Sequence, residues 1–189
     1  MINCTIILYW FRGFYWNTSH NLFPKVIKLM IYEHPIFDAA ENGNIEELRE
    51  LLEKNPNLIN LKTSNGNITP LMIGIYHFDV VNFLLSRGAD VNLKDDSGMT
   101  ALIFASAFKI EIVALIASKG ADVNAKSDYG TTALNMAIKC NKIDIIEYLI
   151  NKGADVNLAD NYGRTPLTKA LKQGYKRIAD LLRKHGAKK

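Results

Sequence analysis

The sequence has few cysteines, and its glycines are never clustered. Cys4 and Cys140 are the only cysteines and form no C-x-x-C motif, so nothing in the sequence indicates an oxidising compartment. The 12 glycines stand singly, so neither G-x-G-x-x-G nor a P-loop is present. The sequence therefore offers no disulfide framework and no loop that could cradle a phosphate.

Histidines are equally scarce. The four histidines stand in unrelated places without metal-ligand spacing: His20, His34, His77 and His185. No nucleophile is paired with a positioned base. We therefore expect a protein that is not an enzyme and that binds no metal and no cofactor.

The sequence also lacks a hydrophobic run long enough to span a membrane, since Arg12 interrupts its most apolar stretch. Residues 1–33 nevertheless hold both tryptophans and eight of the 18 aromatic residues. A secretory signal would need a basic start and a small-residue cleavage site, and both are missing. Two interpretations of residues 1–34 remain: an interfacial membrane anchor, or an extension that is disordered or absent from a native product starting at Met30.

One pentapeptide, GADVN, occurs three times at spacings of 32 and 33 residues, at 88–92, 120–124 and 153–157. A G-x-T sequence follows each copy, and leucine and alanine follow each threonine at helical spacing. A second apolar cluster with helical spacing precedes each GADVN. The pattern therefore predicts two helices and a turn in every unit of about 33 residues.

Threonine and glycine mark where these helices begin and end. Thr69-Pro70 and Thr165-Pro166 combine an N-cap residue with proline at the first helical position. Gly88, Gly120 and Gly153 follow the second apolar clusters, where a residue at positive φ commonly closes a helix. We interpret GADVN as the end of the second helix, with its Asp and Asn side chains bonded to loop backbone.

The T-P-L and G-A-D-V-N motifs, repeated with this period, resemble the ankyrin-repeat family over about residues 35–187. The resemblance implies an all-α fold, an α-solenoid of paired antiparallel helices with β-turn finger loops. We expect about five repeats, of which the first is the N-terminal cap and the last is the C-terminal cap with its basic tail. Their predicted boundaries are 35–62, 63–94, 95–126, 127–159 and 160–189.

The sequence departs from the family directly after the T-P-L motif. The family usually has a histidine there that bonds to the threonine, whereas the four full repeats carry Met72, Ile103, Asn135 and Thr168. The threonine–histidine hydrogen bond implied by the family therefore cannot form. The second repeat is also about two residues short around Tyr76, where its two helices join.

The end repeats of a solenoid should expose polar residues, because no neighbour covers them. One equivalent position of the second helices reads Glu47, Val80, Ile112, Ile145 and Ile178, so it is charged only in the first repeat. A position on the opposite side is charged only in the last repeat, as Arg183. We therefore expect the stack to begin and end with these two repeats.

Ankyrin repeats generally bind other proteins through loop tips and first-helix surfaces on their concave side. The resemblance thus implies a protein–protein interaction module, a monomer whose protein partner is unknown. By alignment the candidate contacts lie on three tips: Asp96, Ser97 and Met99; Asp128, Tyr129 and Thr131; Asn161, Tyr162 and Arg164. Tyr129 and Tyr162 are the best anchors because tyrosine offers a large, rigid contact area, unless each ring packs on its own loop.

The net charge of +4 is unevenly distributed, with +2 in residues 1–34, −6 in 35–163 and +8 in 164–189. Basic residues near the end of a last helix stabilise and solvate a cap, which is our interpretation of the tail. An acidic protein patch is the alternative partner for the tail. Nucleic acid is the least favoured of the three.

Two further functions remain open beside the simple interaction module. Residues 1–33 would tether a peripheral membrane adaptor, and they are the only segment through which we expect membrane contact. Abundant Ile, Asn and Lys suggest an AT-rich genome, as in many intracellular bacteria whose ankyrin proteins act on host proteins. We therefore expect the chain in the cytoplasm, or secreted into a host cytosol as an effector.

Overall fold

The computed structural model describes residues 34–188, which form ten α-helices and two 3₁₀ turns. The interpretations of residues 1–33 lie outside the described residues. The helices are α1 Pro35–Asn42, α2 Ile45–Lys54, α3 Pro70–Ile73, α4 Phe78–Ser86, α5 Ala101–Ala105, α6 Ile110–Ser118, α7 Ala133–Lys139, α8 Ile143–Asn151, α9 Pro166–Lys172 and α10 Lys176–Lys184. The 3₁₀ turns are Pro56–Asn60 and Gly74–Tyr76.

A threonine hydroxyl caps four of the first helices, as the sequence predicts. In each, Oγ1 accepts a hydrogen bond from the backbone N–H three residues later, at 3.2 to 3.4 Å. The capping residues are Thr69, Thr100, Thr132 and Thr165. In α1 the Nδ1 atom of His34 accepts from the N–H of Ile36 instead, at 3.2 Å. The missing family histidine therefore leaves these helix starts intact.

Glycine ends the second helices where the sequence predicts. Gly88, Gly120 and Gly153 have φ of 88°, 86° and 89°, a left-handed conformation that residues with a Cβ adopt at a cost. An added Cβ at any of the three would meet no atom within 4 Å. The requirement for glycine is therefore conformational rather than steric.

The helices pack in two layers. The first helices α1, α3, α5, α7 and α9 form one layer, in which successive members are in contact, and the second helices form the other. Each first helix also packs against the second helix of its own repeat. The result is the paired, stacked all-α arrangement that the sequence predicts, with one continuous hydrophobic core.

Burial along the second helices follows the predicted difference between the middle and the ends of the stack. Val80, Ile112 and Ile145 are completely or almost completely buried between neighbours. Glu47 in α2 is half-buried and receives a hydrogen bond from the side chain of Asn44, at 2.9 Å. Arg183 in α10 is exposed. At these two helix positions, charged side chains thus occur only in the first and the last of the described repeats.

The second repeat compensates for its short helix–helix connection. Helix α3 has four residues and tightens into the 3₁₀ turn Gly74–Tyr76 before α4 begins. Gly74 permits this close approach, since an added Cβ would lie 2.5 Å from Cγ1 of Val80. The ring of His77 packs on Gly43, and its Nε2 donates to the carbonyl of Glu41 at 2.9 Å. His77 therefore joins the second repeat to the first.

Within residues 34–188, every helix is too short or too polar to cross a membrane.

Candidate partner-binding surface

The three predicted tips share one turn geometry. The loops 95–99, 127–131 and 160–164 each begin with a side-chain oxygen that accepts hydrogen bonds from backbone N–H groups two and four residues later. These distances lie between 2.7 and 3.3 Å. The acceptors are Asp95, Ser127 and Asp160. Each tip is thus fixed from within by its own first residue.

Backbone hydrogen bonds join each tip to the next. The N–H of Asp128 donates to the carbonyl of Ser97 at 2.9 Å, and the N–H of Asn161 donates to the carbonyl of Tyr129 at 3.3 Å. The Asn161 side chain adds a bond to the carbonyl of Asp128, at 2.6 Å. The close approach needs glycine at Gly98, where an added Cβ would lie 2.8 Å from the backbone nitrogen of Asp128.

Tyr129 and Tyr162 present their rings to solvent on neighbouring tips. Their relative exposures of 62% and 67% are the largest among the exposed hydrophobic side chains of residues 34–188. Arg164 lies over the Tyr162 ring, with its guanidinium carbon 4.7 Å from the ring centroid. The Tyr162 ring therefore packs on its own loop through one face, and most of the ring stays accessible.

The remaining predicted contacts flank these two rings. Asp96, Ser97, Asp128, Asn161 and Arg164 are exposed. Met99 and Thr131 are half-buried and lie at the bases of their tips. The side chain of Asn67 donates to the Asp96 carboxylate, which ties that tip to the preceding one. The tips therefore form one continuous row of mixed polar and aromatic side chains.

A buried carboxylate fixes the last tip. Asp160 is 6% exposed, and its Oδ2 lies 2.8 Å from Nη2 of Arg164 and 3.0 Å from Nζ of Lys169. Burial alone would raise the pKa of Asp160, but hydrogen bonds from Arg164, Lys169 and the N–H of Tyr162 hold it far below its ordinary value. Burial lowers the pKa of Lys169, and the Asp160 carboxylate opposes that shift, so we treat the pair as ionised.

The first helices carry a second, partly exposed surface, which we call the inner-helix face. It consists of three exposed residues, Tyr76, Lys139 and Lys172, and three half-buried residues, Asp38, Glu41 and Phe108. Tyr76 is 41% exposed, and its ring meets that of Phe108 edge to face, with centroids 4.9 Å apart. The sequence analysis expected contacts on the first-helix surfaces but named no residue of this face, although most of its members stand seven or eight residues after a capping position.

The repeated Asp and Asn of GADVN are occupied by structural bonds. Asn92 donates through Nδ2 to the carbonyl of Gly120 at 3.1 Å and accepts through Oδ1 from the N–H of Asp122 at 2.9 Å. Asn124 and Asn157 make the same pair of bonds to the following turn. Since the aspartates accept from their own loops, acid–base or calcium chemistry finds no support there.

No three His, Cys, Asp or Glu side chains of the described residues are grouped so that they could hold a metal ion. A pocket of about 580 Å³ opens at the starts of α4, α6 and α8, lined by residues that include Phe78, Phe108 and Lys109. The pocket is shallow, and none of its lining residues belongs to a tip.

Comparison with known protein families supports the repeat pattern. A family model described as ankyrin repeats, in three copies, matches residues 21–95 and 102–189. The match therefore covers most of the chain and extends ahead of the described residues. A search of curated proteins found no match.

Proposed function

Since the chain belongs to the ankyrin-repeat family, we propose that it is a non-enzymatic interaction module that binds a partner protein with its row of tips and the adjacent first helices. Ankyrin repeats generally serve as protein–protein interaction modules. The observation that carries the proposal is the pair of exposed rings, Tyr129 and Tyr162, on neighbouring tips. We place the centre of the contact there.

The rigidity of the tips supports this placement. Binding costs less when the contacting groups are already ordered, because fewer side chains and loops lose conformational freedom. Bonds between Ser97 and Asp128 and between Tyr129 and Asn161 hold adjacent tips in register. Arg164 is similarly held, since Asp160 fixes its guanidinium against Tyr162. Tyrosine and arginine are also the residue types enriched at energetically dominant contacts.

Capture of the partner from extracts of the source cells tests the proposal. Full-length chain and the double variant Tyr129→Ala/Tyr162→Ala serve as bait, with captured proteins quantified by mass spectrometry and the affinity of the main partner measured with purified components. We expect the double substitution to weaken that affinity by at least about tenfold, since anchor residues contribute roughly 2 kcal/mol or more.

Phe78→Ala is the matched control, because Phe78 is an exposed aromatic residue, 46% accessible, at the start of α4 rather than on a tip. It should leave the affinity within about twofold of wild type. Equal affinity of wild type and the tyrosine double variant would show that the two tip tyrosines do not anchor the partner. A strong loss of affinity with Phe78→Ala alone would place the contact at the starts of the second helices rather than at the tips.

The membrane-adaptor alternative depends on the aromatic content of residues 1–33. Aromatic side chains with a few basic residues suit the headgroup boundary of a bilayer. Flotation of the full chain with liposomes, repeated after Trp10→Ser and Trp16→Ser, tests it. Failure of wild type to float would leave the interaction module as the single function proposed here.

A further inference from the structure

The two exposed tyrosines on the tips are regularly spaced. Tyr129 and Tyr162 are each the third residue of their tips, 127–131 and 160–164, which share one turn geometry. A backbone bond from the N–H of Asn161 to the carbonyl of Tyr129 holds the two tips in register. Successive first helices pack about 8–10 Å apart, and the tips from which these helices start share that spacing.

The phenol hydroxyl groups of these tyrosines are open for bonding. Among the described residues, neither the Tyr129 nor the Tyr162 hydroxyl has a hydrogen-bond partner. Arg164 lies over one face of the Tyr162 ring and is itself held by Asp160. Each tyrosine therefore offers an exposed apolar ring together with a hydroxyl donor.

The third and fourth tips add negative charge next to Tyr129. Asp96 and Asp128 are exposed, and neither forms an ion pair within residues 34–188. The amide of Asn67 donates to Asp96 but carries no charge that would neutralise it. Burial raises the pKa of the neighbouring Asp95, and the charges of Asp96 and Asp128 raise it further. The row of tips is therefore acidic at the third tip and aromatic at the fourth and last.

Two lysines at the bases of the tips are bonded elsewhere. The Nζ atoms of Lys94 and Lys126 donate to the carbonyls of Lys126 and Ala159, at 2.9 and 2.8 Å. Each lysine thus bridges to the next repeat instead of pairing with a tip carboxylate. The carboxylates of Asp96 and Asp128 therefore remain available to a ligand.

Polyproline II is the backbone conformation that fits this row. It has three residues per turn and rises about 3.1 Å per residue, so side chains three residues apart share one side and lie about 9 Å apart. That repeat matches the spacing of about 8–10 Å between tips. Polyproline II has no internal hydrogen bonds, so its carbonyl groups are free to accept from tyrosine hydroxyls. Proline-rich segments dock on aromatic side chains in this preformed conformation at a low cost in entropy.

We propose that the row of tips binds a polyproline II segment of the partner protein, in which prolines follow a basic residue at three and six positions further along. The basic side chain lies over Asp96 and Asp128, the first proline packs on Tyr129, and the second packs on Tyr162. This inference rests on the proposed function, because it names the chemistry of the segment that the two tyrosines anchor.

The same row disfavours two other kinds of occupant. Bases of a single-stranded nucleic acid stack on aromatic side chains, but Asp96 and Asp128 repel its phosphates. An α-helix places side chains of one face only about 5–6 Å apart, which is too close for successive tips. Its carbonyl groups are also bonded within the helix and do not accept from the tyrosines.

Fluorescence anisotropy with a labelled nine-residue peptide tests the inference. The parent peptide has arginine at its second position, prolines at its fifth and eighth positions, and alanine elsewhere. One control has the same composition with the two prolines adjacent, and the other has alanine in place of both prolines. At about 50 mM salt, where surface charges are weakly screened, we expect the full-length chain to bind the parent peptide at least about fivefold more tightly than either control.

Substitutions of the tyrosines test the aromatic contacts. Tyr129→Ala/Tyr162→Ala should weaken binding of the parent peptide by about tenfold. Tyr129→Phe/Tyr162→Phe removes only the hydroxyl groups and should weaken it by about threefold. Phe78→Ala, which changes an exposed aromatic residue away from the tips, should leave the affinity within about twofold of wild type.

Exchange of charge tests the basic residue. Asp128→Lys should weaken binding of the parent peptide by about fivefold and strengthen binding of a peptide with glutamate in place of arginine by a similar factor. Glu147→Lys makes the same change of net charge at an exposed position of α8. It should change neither affinity by more than about twofold. Thermal unfolding of each variant verifies that it is folded.

Several outcomes would overturn the inference. They are equal binding of the parent and control peptides, equal effects of Asp128→Lys and Glu147→Lys, or tighter binding of a single-stranded RNA than of the parent peptide. If Tyr129→Ala/Tyr162→Ala loses the natural partner while the three peptides bind equally, the proposed function stands and this inference fails. If that variant keeps the natural partner but loses the parent peptide, the tyrosines do not anchor that partner, and the polyproline II site stands without it.

Discussion

The third and the last repeat begin their tips with the same residue type but stabilise it differently. Asp95 is half-buried, and burial raises the pKa of its carboxyl group despite two backbone hydrogen bonds. Asp160 is more deeply buried, yet its pKa is lowered because Arg164 and Lys169 both donate to it. The last repeat therefore holds its tip with an ion network, which the third repeat lacks at Asp95.

The two tips also differ in whether another described tip covers them. The third tip is covered by the fourth, whose Asp128 backbone approaches Gly98 closely. The equivalent glycine of the last tip, Gly163, would meet nothing within 4 Å if it carried a Cβ. In the last repeat, Asp160 is held instead by two cations of its own repeat, Arg164 and Lys169. The tip of the third repeat depends instead on backbone contacts with the tip of the fourth repeat.

The largest expected effect tests that dependence in the core. Ile145 is fully buried in α8, between neighbouring repeats. Ile145→Asp would bury an unpaired carboxylate there, so we expect the free energy of unfolding to fall by about 3–5 kcal/mol. Urea unfolding followed by circular dichroism measures the loss. Arg183→Asp, in the exposed end surface, is the control and should change stability by less than about 1 kcal/mol. Similar losses of stability in both variants would mean that the end and the middle of the stack tolerate a charged side chain equally.

A smaller effect is expected from the tip carboxylates. Asp160→Asn leaves the half-buried Lys169 ammonium without its counter-charge, so we expect a loss of about 2–3 kcal/mol at neutral pH. Asp95→Asn keeps an oxygen for the N–H groups of Ser97 and Met99 and should stay within about 0.5 kcal/mol of wild type. Thermal and urea unfolding of both variants measure the contrast.

Ionisation of the two wild-type carboxyl groups affects the free energy of unfolding in opposite directions. The pKa of Asp160 is lower in the folded than in the unfolded chain, so its stabilisation is complete above the unfolded value of about 4 and is lost as the pH falls further. The pKa of Asp95 is raised, so ionisation favours the unfolded chain and this penalty disappears under acid conditions. Wild type and Asp160→Asn should therefore converge in stability at acid pH. A difference that persists unchanged at pH 3 would contradict the ion network.

The local signals in the sequence predict most of the fold. Thr100 and Thr132 begin helices, and Gly88 and Gly120 end them, because capping and positive φ depend on residues close in the chain. The sequence also places Tyr129 on a tip, where the structure exposes it. Its role in binding stays a prediction, as do the repeat boundaries.

The features that the sequence did not predict depend on residues brought together by stacking. The network at Asp160 requires Lys169 to reach back from α9 to the tip. The aromatic contact between Tyr76 and Phe108 requires two different repeats to lie side by side. The sequence shows that Asn135 replaces the family histidine. Whether the Asn135 side chain finds a hydrogen-bond partner depends on the residues packed around it, which the sequence does not show. Such relations become visible only when the register of neighbouring helices is known.

Asn135 gives the smallest expected effect and the sharpest contrast between an interior and an end repeat. It is 3% exposed in α7, and neither polar atom of its side chain has a hydrogen-bond partner among the described residues. The equivalent Thr168 of the last repeat is exposed and bonds to Thr165, whereas Ile103 of the third repeat is buried and apolar. The interior site therefore suits an apolar side chain.

Asn135→Leu replaces two buried, unpaired polar atoms with apolar groups of nearly the same shape. Because an unsatisfied buried polar group costs about 1–3 kcal/mol, we expect a gain of about 1–2 kcal/mol and a melting temperature higher by roughly 2–6 °C. The reciprocal change, Ile103→Asn, should lower stability, and Thr168→Leu in the solvent-exposed end repeat should change it little. A lower melting temperature for Asn135→Leu would show that the amide has a stabilising partner, and the interior of the stack would then tolerate polar groups as its end does.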